Sequence, residues 1–166
     1  MESPDASRAV IGAPAWADAV AEVVLAATAA AGKGRRLVAA SPDFEAWPWD
    51  RAELTSVLVP WLKRPGRSLV LLSGDGAAWL SRCPRFETWR RDWMHAIAIR
   101  SVAEDEGGRV PEFVAAEGGP WAWLHERDPW RGMAGTSPRE AARLLQSIDA
   151  SLQRSGDAGA VKVLGL

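Results

Sequence analysis

Apolar residues recur at helical spacing over several stretches of the chain. From Pro14 to Ala31, Trp16, Val20, Val23, Val24 and Ala27 share one face, and Gly32 and Gly34 are placed to end a helix there. Leu54, Val57, Leu58, Trp61 and Leu62 form a second stripe, with Asp50 as the expected N-cap, Glu53 as its reciprocal partner and Pro60 as a kink or early stop. A short helical turn is expected over 77–82. Pro84 opens a third helix running to about Met94, with Phe86, Trp89 and Trp93 on its buried face and Arg90 and Arg91 on its solvated back. The last helix carries the strongest start signal, Ser137 as N-cap followed by Pro138 and Glu140, and its apolar face is Ala141, Leu144, Leu145, Ile148 and Leu152 up to Gly156.

Between these stretches lie short apolar runs of strand length. Residues 35–40, 68–72 and 96–100 alternate with the helices, and the run Leu69-Val70-Leu71-Leu72 is continuous enough to be buried on both faces of a parallel sheet. Two further runs, 112–116 and 121–125, flank Glu117-Gly118-Gly119-Pro120 and predict a hairpin, followed by a glycine-containing loop over 128–136. Strands alternating with helices predict an α/β fold, a layered and mostly parallel sheet with a C-terminal antiparallel hairpin and helices on both faces. The expected organisation is a flexible tail over 1–12, a single domain over 13–156, and a tail or added edge strand over 157–166.

Composition narrows the functional classes. The chain has 166 residues, a net charge of −1 and a single cysteine, so a disulfide framework and a Cys-rich zinc site are excluded. Its charge balance gives no general attraction to nucleic acid or acidic lipid. The segment 1–8 lacks a cationic start, and the longest apolar stretch, 19–31, is interrupted by Glu22, so a cytoplasmic protein without a membrane span is expected. Ten tryptophans without a tyrosine, and only Lys33, Lys63 and Lys162 among 20 basic residues, match the codon bias of a GC-rich genome.

The element order, Trp130-Arg131-Gly132 and the segment Ser137-Pro138-Arg139-Glu140-Ala141-Ala142-Arg143-Leu144-Leu145 together resemble one half of a phospholipase D-like domain. The middle segment Pro84-Arg85-Phe86-Glu87-Thr88-Trp89-Arg90 is similar to bacterial proteins with a degenerate version of it. In that family the hairpin carries His-x-Lys-x-x-x-x-Asp-Gly, whose histidine attacks phosphorus. With Glu117-Gly118 at the Asp-Gly place, Val110 takes the histidine place and Glu112 the lysine place. A valine has no nucleophilic nitrogen, and a glutamate repels phosphate. The resemblance therefore implies no catalytic residue, no metal and no cofactor. Because active members set two halves face to face, it implies a homodimer, or another protein as partner.

Several side chains carry candidate chemistry. Trp121 and Trp123 alternate on one hairpin face and Trp130 follows; if left uncovered, these three rings form an interface. Asp75, in the turn after the central strand, together with His95 or His125, would give a hydrolase its strand-end cleft. Cys83 precedes a helix start that would lower a thiol pKa, but Asp92 and His95 are too far along that helix to touch it, so a small buried or capping cysteine is the expected reading. His125, Glu126 and Asp128 are metal-ligand types at a strand end. Five arginines between 82 and 100, interleaved with Trp89 and Trp93, could make a weak nucleic-acid platform, although nucleic acid is not the expected partner. The acidic segment 104–117 reads as a solvated loop. The expected function is a non-catalytic interaction or dimerisation module. A hydrolase using the strand-end cleft and a weak nucleic-acid binder are the alternatives.

Overall fold

The computed structural model describes residues 6–29, 34–103, 105 and 109–158. Eight strands form one mixed sheet in the order β1-β7-β6-β5-β2-β3-β4-β8. Strands β2 (Arg36–Ser41), β3 (Ser68–Ser73) and β4 (Ile97–Ser101) are parallel neighbours, as the alternation of strands and helices predicts. β5 (Glu112–Ala116) and β6 (Trp121–Arg127) are the expected hairpin, and β5 lies antiparallel against β2.

The antiparallel part is larger than that hairpin. Residues 8–11, expected to belong to a loose tail, are strand β1 (Arg8–Ile11), and the expected loop after the hairpin contains β7 (Trp130–Gly135), which pairs with both β6 and β1. The glycines that make residues 130–135 read as a loop are demanded by packing. A Cβ at Gly132 would sit 2.4 Å from the Trp123 carbonyl oxygen, and one at Gly135 would sit 2.8 Å from the Trp121 ring. β8 (Gly156–Asp157) adds a short antiparallel edge to β4. The remainder of the expected C-terminal tail, 159–166, lies outside the described residues.

Alternation along the strands divides the core into two layers. One face of the sheet, with Leu37, Ala39, Leu69, Leu71, Ile97 and Ile99, is covered by α1 (Ala13–Thr28), α2 (Ala52–Leu62) and α3 (Pro84–Arg90). The other, with Val38, Ala40, Leu72, Phe113, Ala115 and Trp121, is covered by α4 (Pro138–Ser147) and its continuation α5 (Asp149–Arg154). Helices thus lie on both faces. Ser137 caps α4 as expected, its side chain accepting from the Glu140 amide.

The Asp50 cap is a correction. The N-cap of α2 is Arg51, without a side-chain cap, and α2 runs through Pro60 to end at Leu62. Asp50 instead reaches across to α3, where Oδ1 accepts from the amides of Arg85 (2.8 Å) and Phe86 (3.1 Å). A local capping pattern thus yields to a tertiary one, because α3 supplies two unpaired N–H groups within reach. Arg90 is a second correction: it is buried rather than solvated, and its Nε donates to Glu87 at 2.5 Å.

Of the ten tryptophans, Trp16, Trp47, Trp49, Trp61, Trp79 and Trp121 are buried and the other four are half-buried. Around Phe44, the rings of Trp16, Trp47, Trp49, Trp79 and Phe86 pack with successive centroids 4.6–6.3 Å apart. The tryptophan-rich composition therefore builds the layer between α1–α3 and the sheet.

Candidate functional site

The carboxyl ends of β2 and β6 and the start of β5 meet at one edge of the sheet. There Glu112, Ser41, Asp43, Trp47 and Arg127 form a connected polar cluster. Glu112 is buried, its side chain 7% exposed. Its Oε2 accepts from Ser41 Oγ (2.7 Å), Trp47 Nε1 (2.9 Å) and Arg127 (3.0 Å), and its Oε1 accepts from Arg127 Nε (2.7 Å). On its outer side Arg127 grips Asp43, donating to Oδ1 at 2.6 Å and Oδ2 at 3.1 Å, and it reaches Glu45 Oε2 at 3.4 Å. One planar guanidinium thus makes a double bond-pair to each of two carboxylates, the geometry for which arginine is suited and lysine is not.

The loop that carries Asp43 is held in an unusual backbone. Phe44 (φ 53°) and Ala46 (φ 61°) are both in the left-handed region, a conformation that costs a non-glycine residue roughly 1–3 kcal/mol. Ser41 Oγ accepts from the Phe44 amide at 2.8 Å, Phe44 is anchored among the aromatic rings, and Asp43 is tied to Arg127. These contacts over-determine the loop. The hydrogen bonds from Arg127 hold the Asp43 carboxyl below its ordinary value near 3.8 against the opposing effect of burial. Burial works against the Arg127 charge, but its bonds to Asp43 and Glu112 raise its pKa further above the ordinary range.

Sequence reasoning picked out Glu112 but missed its partners Arg127, Ser41 and Trp47, and Asp43 on the far side of Arg127. Arg127 closes a strand and Ser41-Pro42-Asp43 reads as a plain break. Only the pairing of β5 with both β2 and β6 brings them together. Val110, at the family's histidine place, is buried two residues before β5, in a cleft lined by Leu72, Val102, Arg109, Pro111, Ser151 and Arg154.

The other candidates are placed differently. Trp121 is buried beneath α4, whereas Trp123 is half-buried with the Arg143 guanidinium 4.9 Å over its ring and the His125 ring 3.9 Å away. Trp130 packs against the opposite face, under Arg127 at 5.6 Å. The three rings therefore do not form one exposed patch, because α4 covers Trp121 and Trp130 faces the other way. Trp123, His125, Met133, Glu140 and Arg143 instead line a groove beside α4.

The strand-end cleft of Asp75 with a histidine is not assembled. Asp75 follows β3 at the carboxyl edge and accepts from Ser73 Oγ at 2.6 Å, whereas His95 precedes β4 at the opposite edge, tilted against Trp93. His125 lies on β6, three strand spacings from β3, or roughly 14 Å. Among the described residues no cluster of three or more His, Cys, Asp or Glu could hold a metal, so His125, Glu126 and Asp128 do not converge. Trp89 and Trp93 pack against the core, and Arg90 and Arg91 both engage Glu87, so the arginine-rich helix presents no platform of free rings and cations. The acidic segment lies partly outside the described residues. No helix among the described residues is long and apolar enough to cross a membrane.

Cys83 is the small buried cysteine expected, not an activated thiol. It is buried between a 3-10 turn (Ala78–Arg82) and α3, and burial, with the negative charge of Asp50 adding to it and Arg82 opposing, pushes the thiol up to about 11. At pH 8 roughly one molecule in a thousand then carries a thiolate. The native protein is expected to resist a disulfide-exchange reagent at pH 8 and to react promptly once unfolded in denaturant. Asp50→Ala is expected to speed the native reaction while costing about 1 kcal/mol in urea unfolding through loss of the α3 cap. Fast labelling of the native wild-type chain would contradict this placement of the thiol.

No protein-family model matches the sequence, and no curated protein matches it. Among solved structures, the chain is similar to TrmBL2, an archaeal chromatin protein whose structure shows a novel mode of DNA binding, at 10% identity over 95% of this chain with a TM-score of 0.62. The chain spans 56% of the length of that protein. It is also similar to Nuc from Salmonella typhimurium, a phospholipase D family member, at 12% identity over 91% of this chain and 97% of that one, with a TM-score of 0.49. At such identities the likeness is one of fold.

Proposed function

We propose that this chain is a non-catalytic domain of phospholipase D-like architecture that acts by binding, with a second copy of itself as partner. The observation that carries this reading is the state of Glu112. Where the family resemblance puts a phosphate-binding cation, this chain has a buried carboxylate whose two oxygens are occupied by Arg127, Ser41 and Trp47. Arg127 is in turn neutralised by Asp43, so the cluster offers an incoming phosphate no uncommitted cation. Val110, aliphatic and buried, fills the nucleophile's place.

The test is a phosphodiesterase assay with an activated aryl phosphodiester, run beside light scattering. No turnover above buffer and a dimer are expected. Turnover that copurifies with the protein and disappears in Glu112→Gln would end the non-catalytic reading. For the dimer, Trp123→Asp is the informative change, since Trp123 is half-buried at the groove beside α4 and only packs against the edge of the core. A monomer at high concentration, or a dimer indifferent to Trp123→Asp, would remove self-association through this face.

A further inference from the structure

We infer that the amino edge of the parallel strands is a docking surface for single-stranded nucleic acid, built from Arg35, Lys63, Arg64 and Arg67 with the exposed His95 ring at its end. This surface is remote from Glu112. The strands β2 and β3 run from Arg36 and Ser68 at one edge to Ser41 and Ser73 at the other, a separation of about 17 Å at ~3.3 Å per residue. The inference goes beyond the preceding reading, and either can fail without the other.

Seven arginines are held in ion pairs. Arg8, Arg36, Arg51, Arg90, Arg91, Arg127 and Arg143 each lie within 4.0 Å of a carboxylate. Arg35, Lys63, Arg64 and Arg67 have no carboxylate within that distance among the described residues, yet the fold gathers them. The loop 63–67 joins α2 to β3, and the amide of Ser68 donates to the Arg35 carbonyl at 2.9 Å. The Arg35 side chain passes 3.8 Å from the position a Cβ would take at Gly66. Glu117, just after β5, accepts from the Arg35 backbone amide at 3.4 Å. Lys63 and Arg64 follow the last turn of α2, where the helix dipole favours cations, which accounts for those two. It does not account for Arg35 and Arg67, which gain nothing from α2 and repel their neighbours. Arg67 Nε is moreover buried without a hydrogen-bond partner. A polyanion relieves the mutual repulsion of these cations.

Three observations favour nucleic acid among polyanions. Three of the four cations are arginines, whose planar donors match phosphate oxygens in pairs. The row continues onto β4: the Leu69 amide donates to the Ala96 carbonyl at 2.9 Å, which sets His95 beside Arg67 across the strand ends. His95 is exposed and rests against the half-buried Trp93 with ring centroids 5.8 Å apart, so one exposed imidazole stands at the end of the cationic row, where a base can stack.

The experiment is fluorescence anisotropy of the full chain with a labelled oligothymidylate of about 16 nucleotides, titrated at several salt concentrations. With four phosphate contacts, the log–log salt slope is expected near −3, which is roughly a fifty-fold loss of affinity between about 50 and 200 mM salt. The double reversal Arg64→Glu/Arg67→Glu is expected to weaken binding at least about tenfold. The double reversal Arg131→Glu/Arg139→Glu, at exposed positions elsewhere, should match wild type to within about twofold. Circular dichroism melts confirm that each variant is folded. No binding at low salt, an equal loss in both double variants, or equal affinity for polyglutamate overturns the inference. Recovery of the oligonucleotide intact agrees with a binding role, whereas its cleavage would overturn the non-catalytic reading and leave the docking surface standing.

Discussion

Replacing Arg127 with alanine is expected to destabilise the domain by about 3–5 kcal/mol, the cost of leaving a buried charge without its partner. The reason is local. Glu112 is almost wholly removed from water, and Arg127 supplies two of the four hydrogen bonds to its carboxylate. The same change frees Asp43 and the strained loop carrying Phe44 and Ala46. For a domain of this size the midpoint of thermal unfolding should fall on the order of 10 °C. The pair Arg127→Leu/Glu112→Gln should recover more than half of the loss. It removes both charges but keeps an amide oxygen for Ser41 and Trp47. A cost below about 1 kcal/mol for Arg127→Ala would mean that Glu112 is not sealed as described.

The effect has a defined pH dependence. The Asp43 carboxyl is held below its ordinary value near 3.8 in the folded chain, chiefly by hydrogen bonds from Arg127. A depressed folded-state value means that this stabilisation is complete above the unfolded value and is lost as pH falls through the folded one. The gap between wild type and Arg127→Ala should therefore narrow on acidification below about pH 3.8, and denaturant titrations at pH 7 and at lower pH read it directly. A gap that widened in acid would reverse the sign of the Asp43 contribution.

Trp49→Ala is the second large expectation, at about 3–5 kcal/mol. Trp49 is fully buried, stacks on Trp47 with centroids 5.8 Å apart, and packs against Phe44 and Phe86. Removing it leaves a cavity that surrounding rings, already locked on one another, fill poorly. Trp49→Phe should cost clearly less, because the indole N–H has no hydrogen-bond partner to lose. Trp123→Asp, at a half-buried site, should unfold at a denaturant concentration much closer to wild type. If Trp49→Ala and Trp123→Asp were equally mild, the tryptophans would not be the core layer described above.

The same contrast shows how much of the molecule was legible beforehand. The parallel strands, the hairpin and the Ser137 cap follow from periodicity and local chemistry, because each depends on neighbours in sequence. β1 and β7 were hidden. A four-residue edge strand carries almost no pattern, and the glycines that signal a loop in β7 are there to admit the Trp123 backbone and the Trp121 ring. Asp50 sits where a local helix start asks for it and serves a different helix.

For the candidate site the division is sharper. Residue types along the chain were enough to establish that Val110 and Glu112 stand where a base and a cation would be needed. That conclusion required only their chemistry. What Glu112 does instead was decided by the fold, since its partners Ser41 and Trp47 are 71 and 65 positions away and Arg127 is on the next strand. The same holds for the four cations at the opposite edge. Chain order separates Arg35 from residues 63–67, and only the parallel pairing of β2 with β3 sets them side by side. Local sequence determines secondary structure and which groups carry charge, but a low-dielectric cluster or a charged edge depends on distances that chain folding alone creates.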